Sequence, residues 1–167
     1  SMEKRSVALM VYVLLGQPAF GVDHRFGDYL ISVNSDAVSI LSENDYTVSV
    51  SKAGLLLSRL TVACDDSSLV SFVSDLDSDK QFEVIVTSGG KESLVDLYTW
   101  TGDRLKSLKI PKVTIKEKPA GELLSFYTVS RGVLFKKFEL RQLDRREGKL
   151  RYSYAYSVTE KKWLLEK

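Results

Sequence analysis

The sequence contains one cysteine, one histidine and three prolines. The scarcity of cysteine and histidine excludes several kinds of disulfide, metal, redox and catalytic site. Cys64 has no second cysteine with which to form an intrachain disulfide, and paired-cysteine metal or redox motifs are absent. His24 and Cys64 alone supply too few ligands for the usual structural zinc sites. A catalytic Ser-His-Asp or Cys-His arrangement would depend on His24, and no nucleophile-elbow motif accompanies it. We therefore expect no enzyme and no cofactor.

A strong charge of one sign is also missing. The 167 residues carry a formal net charge of +2, with 44% apolar and 28% charged residues. Proteins that bind nucleic acid usually concentrate far more lysine and arginine on one face, so no nucleic-acid partner is expected. There is no internal repeat, low-complexity tract or Gly-rich strand-to-helix loop. These totals fit one globular domain, either a monomer or a homodimer.

The N-terminal residues have the three parts of a secretory signal peptide. The basic start is Glu3-Lys4-Arg5, the short apolar centre is residues 7–15, and the small-x-small exit is Ala19-Phe20-Gly21. The apolar centre is too short to span a bilayer as a stable helix. We therefore predict a periplasmic or secreted protein with no membrane insertion after processing.

This interpretation sets the expected domain boundaries. Residues 1–21 are predicted to be the signal peptide, with Ser1 as a cloning remnant before Met2, and residues 22–167 a single domain. A buried N-terminal strand is the alternative, because short apolar runs also suit a sheet.

Beyond residue 21 the chain has the pattern of short strands separated by turns. Residues 46–51 alternate apolar and polar side chains, and Lys52-Ala53-Gly54 then leads into Leu55–Val62 as a hairpin. The most regular alternation comes in residues 150–158, where three tyrosines share one face. Strands recur about every 8–12 residues, the spacing of sandwiches and barrels. We predict an all-β fold, an antiparallel β-sandwich of about eight or more strands.

An acidic loop at residues 75–83 has the spacing with which calcium loops begin. Oxygen ligands at positions 1, 3, 5 and 9 would be Asp75, Asp77, Asp79 and Glu83. Lys80 stands where the sharp turn of a calcium loop has glycine, and Val86 cannot supply the carboxylate of position 12. We therefore expect a turn whose side chains cap backbone amides, with calcium binding as the weaker alternative.

The segment Phe72–Val86 resembles the "DLDGDG-x-PE-hydrophobic" hairpin of bacterial periplasmic inhibitors of invertebrate-type lysozyme. The hairpin also occurs in FG-GAP propeller blades, but a propeller needs several copies and this chain has one. The inhibitor pattern continues at Tyr98-Thr99-Trp100, at Gly132–Phe138 and from Arg151 to Tyr154. The resemblance covers roughly residues 46–158 and implies an antiparallel β-sandwich.

The resemblance also implies a mechanism, in which a Ser-Gly-x-Tyr loop enters the lysozyme cleft and hydrogen-bonds the catalytic carboxylates. Ser88, Gly89 and Gly90 match the start of this loop, and Lys91 stands where tyrosine is expected. Lys91 would pair with an acidic cleft as a point charge. The implied function is a lysozyme-inhibitor-like binding protein that occludes an active-site cleft with the loop Ser88–Lys91.

Two alternatives stay open at this stage. The loop is equally consistent with a plain Gly-Gly hairpin turn. The chain would then be an interaction protein of the bacterial envelope with a different protein partner and no lysozyme inhibition. A local basic cluster would offer a binding surface for that partner, and its members are Arg141, Arg145, Arg146, Lys149 and Arg151.

Overall fold

The structure is a computed structural model that describes residues 20–36, 44–64, 69–89, 93–113, 115, 121–141 and 148–166. Every regular element in these residues is a β-strand, which confirms the predicted all-β class. No helix that is long and apolar enough to cross a membrane occurs in the same residues. Contacts divide the chain into unit 1, Ser1–Leu69, and unit 2, Val70–Lys167. The expectation of one domain over residues 22–167 stays a prediction.

Unit 1 contains four strands. They are β1 (Phe20–Phe26), β2 (Tyr29–Asp36), β3 (Asn44–Lys52) and β4 (Leu55–Cys64). Each pairs antiparallel with the next, so the sheet has the order β1-β2-β3-β4. The hairpin from β3 to β4 turns at Ala53 and Gly54, whose φ angles are 52° and 77°. Two left-handed residues suit the twist of a tight hairpin, which is the turn predicted for this position.

Alternate side chains of the two central strands, β2 and β3, form the apolar face of the unit 1 sheet. The fully buried side chains are Ile31, Val33, Tyr46, Val48 and Val50. The predicted strand over residues 46–51 lies within β3. The predicted signal peptide ends inside this sheet, because β1 begins at Phe20, and residues 1–19 lie outside the described residues.

Unit 2 contains two four-stranded sheets. The first comprises β5 (Leu69–Ser74), β6 (Glu83–Ser88), β7 (Val95–Trp100) and β8 (Leu105–Leu108), in the order β5-β6-β7-β8. The second comprises β9 (Glu122–Ser130), β10 (Val133–Arg141), β11 (Lys149–Ser157) and β12 (Lys162–Leu165), in the order β12-β11-β10-β9. Every residue of β6 is buried, as expected for an interior strand.

The two sheets of unit 2 share one apolar core, as in a β-sandwich. Both sheets contribute to the buried cluster, which consists of Ile85, Leu97, Tyr127, Leu134 and Tyr156. Trp163 packs against this cluster, with its ring centroid 6.2 Å from that of Tyr127 and 5.0 Å from that of Tyr156. Of the three tyrosines at strand spacing, Tyr156 therefore serves in packing this core, the commoner role of such side chains. Tyr152 and Tyr154 are half-buried, with their rings edge-on to that of Phe138.

Candidate functional site

The base of the β6–β7 loop is held by a reciprocal pair of hydrogen bonds. The backbone N–H of Ser88 donates to the carbonyl oxygen of Leu94 at 3.0 Å. The backbone N–H of Leu94 donates to Oγ of Ser88 at 2.8 Å. Ser88 is only 2% exposed, so its side chain closes the loop from inside the protein. This geometry fixes where the loop leaves the sheet.

A second group of hydroxyls ties the other end of the loop to the opposite sheet. Oγ of Ser93 lies 2.5 Å from Oγ of Ser125 on β9, and Ser93 also hydrogen-bonds the hydroxyl of Tyr127. Burial raises the pKa of Tyr127, and the Ser93 hydrogen bond partly opposes that rise. Both ends of the loop are therefore bonded to strands of unit 2.

The four predicted partner-binding residues have different surroundings. Ser88 is buried, whereas Gly89 is exposed, and a Cβ added at Gly89 would meet nothing within 4 Å. Gly90 and Lys91 lie outside the described residues. Ser88 thus positions the loop, and the surface begins at Gly89. The roles predicted for Gly90 and Lys91 stay predictions.

The acidic loop is held by its own carboxylates. Asp75 accepts the backbone N–H groups of Asp79 at 3.2 Å and Lys80 at 2.9 Å. Asp77 also accepts the Asp79 N–H at 3.2 Å, and Asp79 accepts that of Gln81 at 2.8 Å. Such bonds are those that aspartates make in tight turns. They account for the conformation of this loop.

Glu83 joins the acidic loop to two strands. Its Oε1 accepts the backbone N–H of Leu76 at 2.7 Å, and its Oε2 accepts the hydroxyl of Thr99 on β7 at 3.0 Å. The side chain is fully buried at the start of β6. A carboxylate buried this deeply is tolerated because both of its oxygens accept a hydrogen bond.

Three carboxylates of this region lie close together. One oxygen from each of Asp75, Asp77 and Glu83 lies within 4.8 Å of the others, and Asp79 is not a member of this cluster. Burial raises the pKa of Glu83 to about 7. Burial, with a hydrogen bond that the protonated Asp77 carboxyl donates to the Asp79 side chain, raises the pKa of Asp77 to about 6. Calcium binding by these residues stays the weaker alternative to a turn held by capping, and it is untested.

The basic cluster is described only in part. Arg141, Lys149 and Arg151 are exposed at the ends of β10 and β11, and the Arg151 guanidinium lies 5.7 Å from the centre of the Tyr152 ring. Arg145 and Arg146 lie outside the described residues. The cluster's role in binding therefore stays a prediction.

Sequence reasoning did not identify Ser93, Ser125 and Thr99 as supports of the site. Ser93 and Ser125 are 32 residues apart, and no local pattern indicates that they meet. The only signal for Thr99 was its place in the Tyr98-Thr99-Trp100 motif. No protein-family model, curated protein or solved structure matches the chain.

Proposed function

We propose that this chain is a periplasmic or secreted lysozyme-inhibitor-like binding protein that occludes an active-site cleft with its β6–β7 loop. The observation that carries the proposal is the bonded base of the loop, where Ser88 and Leu94 exchange two hydrogen bonds. The resemblance of Phe72–Val86 to the inhibitor hairpin supports the same function. The chain itself performs no catalysis in this proposal.

A fixed base favours binding for a physical reason. A loop whose ends are already ordered loses less conformational entropy when it enters a cleft. In this proposal the contact begins at Gly89 and continues through Gly90 and Lys91, while Ser88 stays buried as a positioning residue. The Lys91 ammonium would pair with the carboxylates of an acidic cleft, where removal of water strengthens the attraction.

Inhibition of invertebrate-, chicken- and goose-type lysozymes in a muramidase assay tests the proposal. We expect the wild-type chain to inhibit at least one of them at micromolar concentration. Gly89→Trp should weaken this inhibition by ~10-fold or more, because the bulky ring obstructs entry into the cleft. The variant should keep its melting temperature, since the space around a Cβ at Gly89 is open.

Thr159→Trp is the matched control, because Thr159 is exposed in the turn between β11 and β12 of the same unit. It adds the same ring away from the loop and should leave inhibition unchanged. If the wild-type chain inhibits none of the three enzymes, the proposal is overturned. The alternative, an envelope protein with a different protein partner, would then be favoured.

A further inference from the structure

Unit 2 has a cavity of about 410 Å³ beside the base of the β6–β7 loop. Its apolar wall includes Val95, Ile110 and Val113, three half-buried side chains. The volume lies in the range of small-molecule sites, about 300–1,000 Å³, in which polar groups orient the ligand. The polar residues Ser93 and Tyr127 also line this cavity.

Two lysines give the cavity a positive charge. Lys112 is exposed at its edge, and Lys136 on β10 is half-buried. The Lys136 ammonium lies 5.0 Å from the centre of the Tyr127 ring and 5.3 Å from that of Phe138. Aromatic faces attract a cation but do not neutralise it. Among the residues that the structure describes, the charge of Lys136 is therefore held in place by aromatic rings that do not compensate it.

The surroundings of Lys136 favour an anion. Burial lowers the pKa of Lys136, and the positive charge of Lys112 lowers it further. Within the part of the chain that the structure describes, no carboxylate forms an ion pair with either lysine. A bound anion would relieve the repulsion between the two ammonium groups and replace water lost on burial.

We propose that this cavity binds the anion of a small carboxylic acid whose remaining part, its body, is apolar. The carboxylate would lie between Lys112 and Lys136, and the apolar body would pack against Val95, Ile110 and Val113. A phosphate or sulfate ion would satisfy the charges but leave the apolar wall without a partner. The inference is independent of lysozyme binding, because it uses none of the residues Ser88–Lys91.

Isothermal titration calorimetry of the full chain tests this ligand class with three probes: hexanoate, its neutral analogue hexanamide, and inorganic phosphate. We expect hexanoate to bind at least ~10-fold more tightly than either of the other two, since a charge-assisted hydrogen bond contributes roughly one tenfold step in affinity. Equal binding of hexanoate and hexanamide would overturn the role of the lysines. Phosphate binding as tight as that of hexanoate would overturn the role of the apolar wall. Absence of hexanoate binding would overturn the whole proposal.

A pair of neighbouring variants locates the site. Lys136→Met keeps an unbranched apolar side chain but removes the charge, and it should weaken hexanoate binding by ~10-fold. Lys137→Met is the matched control, because Lys137 is the next residue on β10 and its ammonium lies over the Phe135 ring at 5.5 Å. An equal loss in both variants would contradict the assignment. Lysozyme inhibition should be the same in both, so this proposal and the proposed function fail separately.

Discussion

Glu83 shows how one side chain can carry both a structural and an electrostatic role. Its carboxylate accepts hydrogen bonds from Leu76 and Thr99 and so fastens the acidic loop to β7. It is nevertheless fully buried beside the carboxylate of Asp77, and both burial and that neighbouring charge oppose its ionisation. The residue therefore stabilises the fold most when it is protonated.

This behaviour predicts a pH dependence of stability. The folded-state pKa of Glu83 is raised from its ordinary value of 4.5 to about 7. Between these values the folded state binds more protons than the unfolded state, so the free energy of unfolding falls as pH rises. Glu83→Gln removes this contribution. We expect its stability relative to wild type to rise by on the order of 2 kcal/mol between about pH 5 and about pH 8.

Urea unfolding at the two pH values measures the effect. Glu160→Gln is the control, because Glu160 is exposed and its carboxylate lies 3.9 Å from the Lys162 ammonium at the surface. Part of the wild-type pH dependence should persist in Glu83→Gln, since the pKa of Asp77 is also raised, to about 6. A constant difference between Glu83→Gln and wild type at both pH values would contradict the prediction.

At the scale of elements, the acidic loop has to reverse the chain before β6. Ser78 and Lys80 adopt left-handed φ angles of 60° and 69° in doing so. That conformation is costly for a residue with a side chain and free of penalty for glycine. The hydrogen bonds from backbone amides to Asp75 offset this cost. The loop is therefore an element in which polar capping overrides local backbone preference.

Lys80→Gly should therefore stabilise the protein. The backbone N–H that Lys80 donates to Asp75 is retained, and the left-handed φ is no longer strained. We expect a gain of about 0.5–1 kcal/mol in the free energy of unfolding, measured with denaturant in the presence of a chelator. Lys109→Gly is the control, because Lys109 is exposed and is not among the positive-φ residues. It should be neutral or destabilising, and a loss of stability in Lys80→Gly would contradict the argument.

At the scale of the whole molecule, the sequence predicted the all-β class because alternation is a local signal. Residues 150–158 alternate cleanly, and β11 lies at Lys149–Ser157. The predicted turn at residues 52–54 likewise depends only on neighbouring residues, and Ala53 and Gly54 form it. Local patterns of this kind are readable in one sequence.

The supports of the candidate site were not predictable in this way. The contact between Ser93 and Ser125 depends on how two sheets of unit 2 are packed, and that packing has no period in the sequence. The cavity beside these serines is lined by both Lys112 and Lys136. Their meeting likewise depends on how the chain packs, so the sequence did not predict it.

The predicted export has its own test at this scale. N-terminal sequencing of the protein isolated from its native source should give a chain that begins at Val22, because the signal pattern ends at Ala19-Phe20-Gly21. A chain that begins at Met2 would contradict the signal peptide. It would favour the alternative interpretation, in which the N-terminal apolar run is a strand.

The aromatic packing of unit 2 has a consequence for measuring unfolding. The chain has two tryptophans, Trp100 and Trp163, and both lie in unit 2. Trp163 is close enough to Tyr127 and Tyr156 for excitation energy to pass from tyrosine to tryptophan. Tryptophan emission therefore reports the integrity of unit 2 alone, whereas far-ultraviolet circular dichroism reports the strands of both units. Comparing the two signals along one unfolding curve separates the units without a label or a truncation.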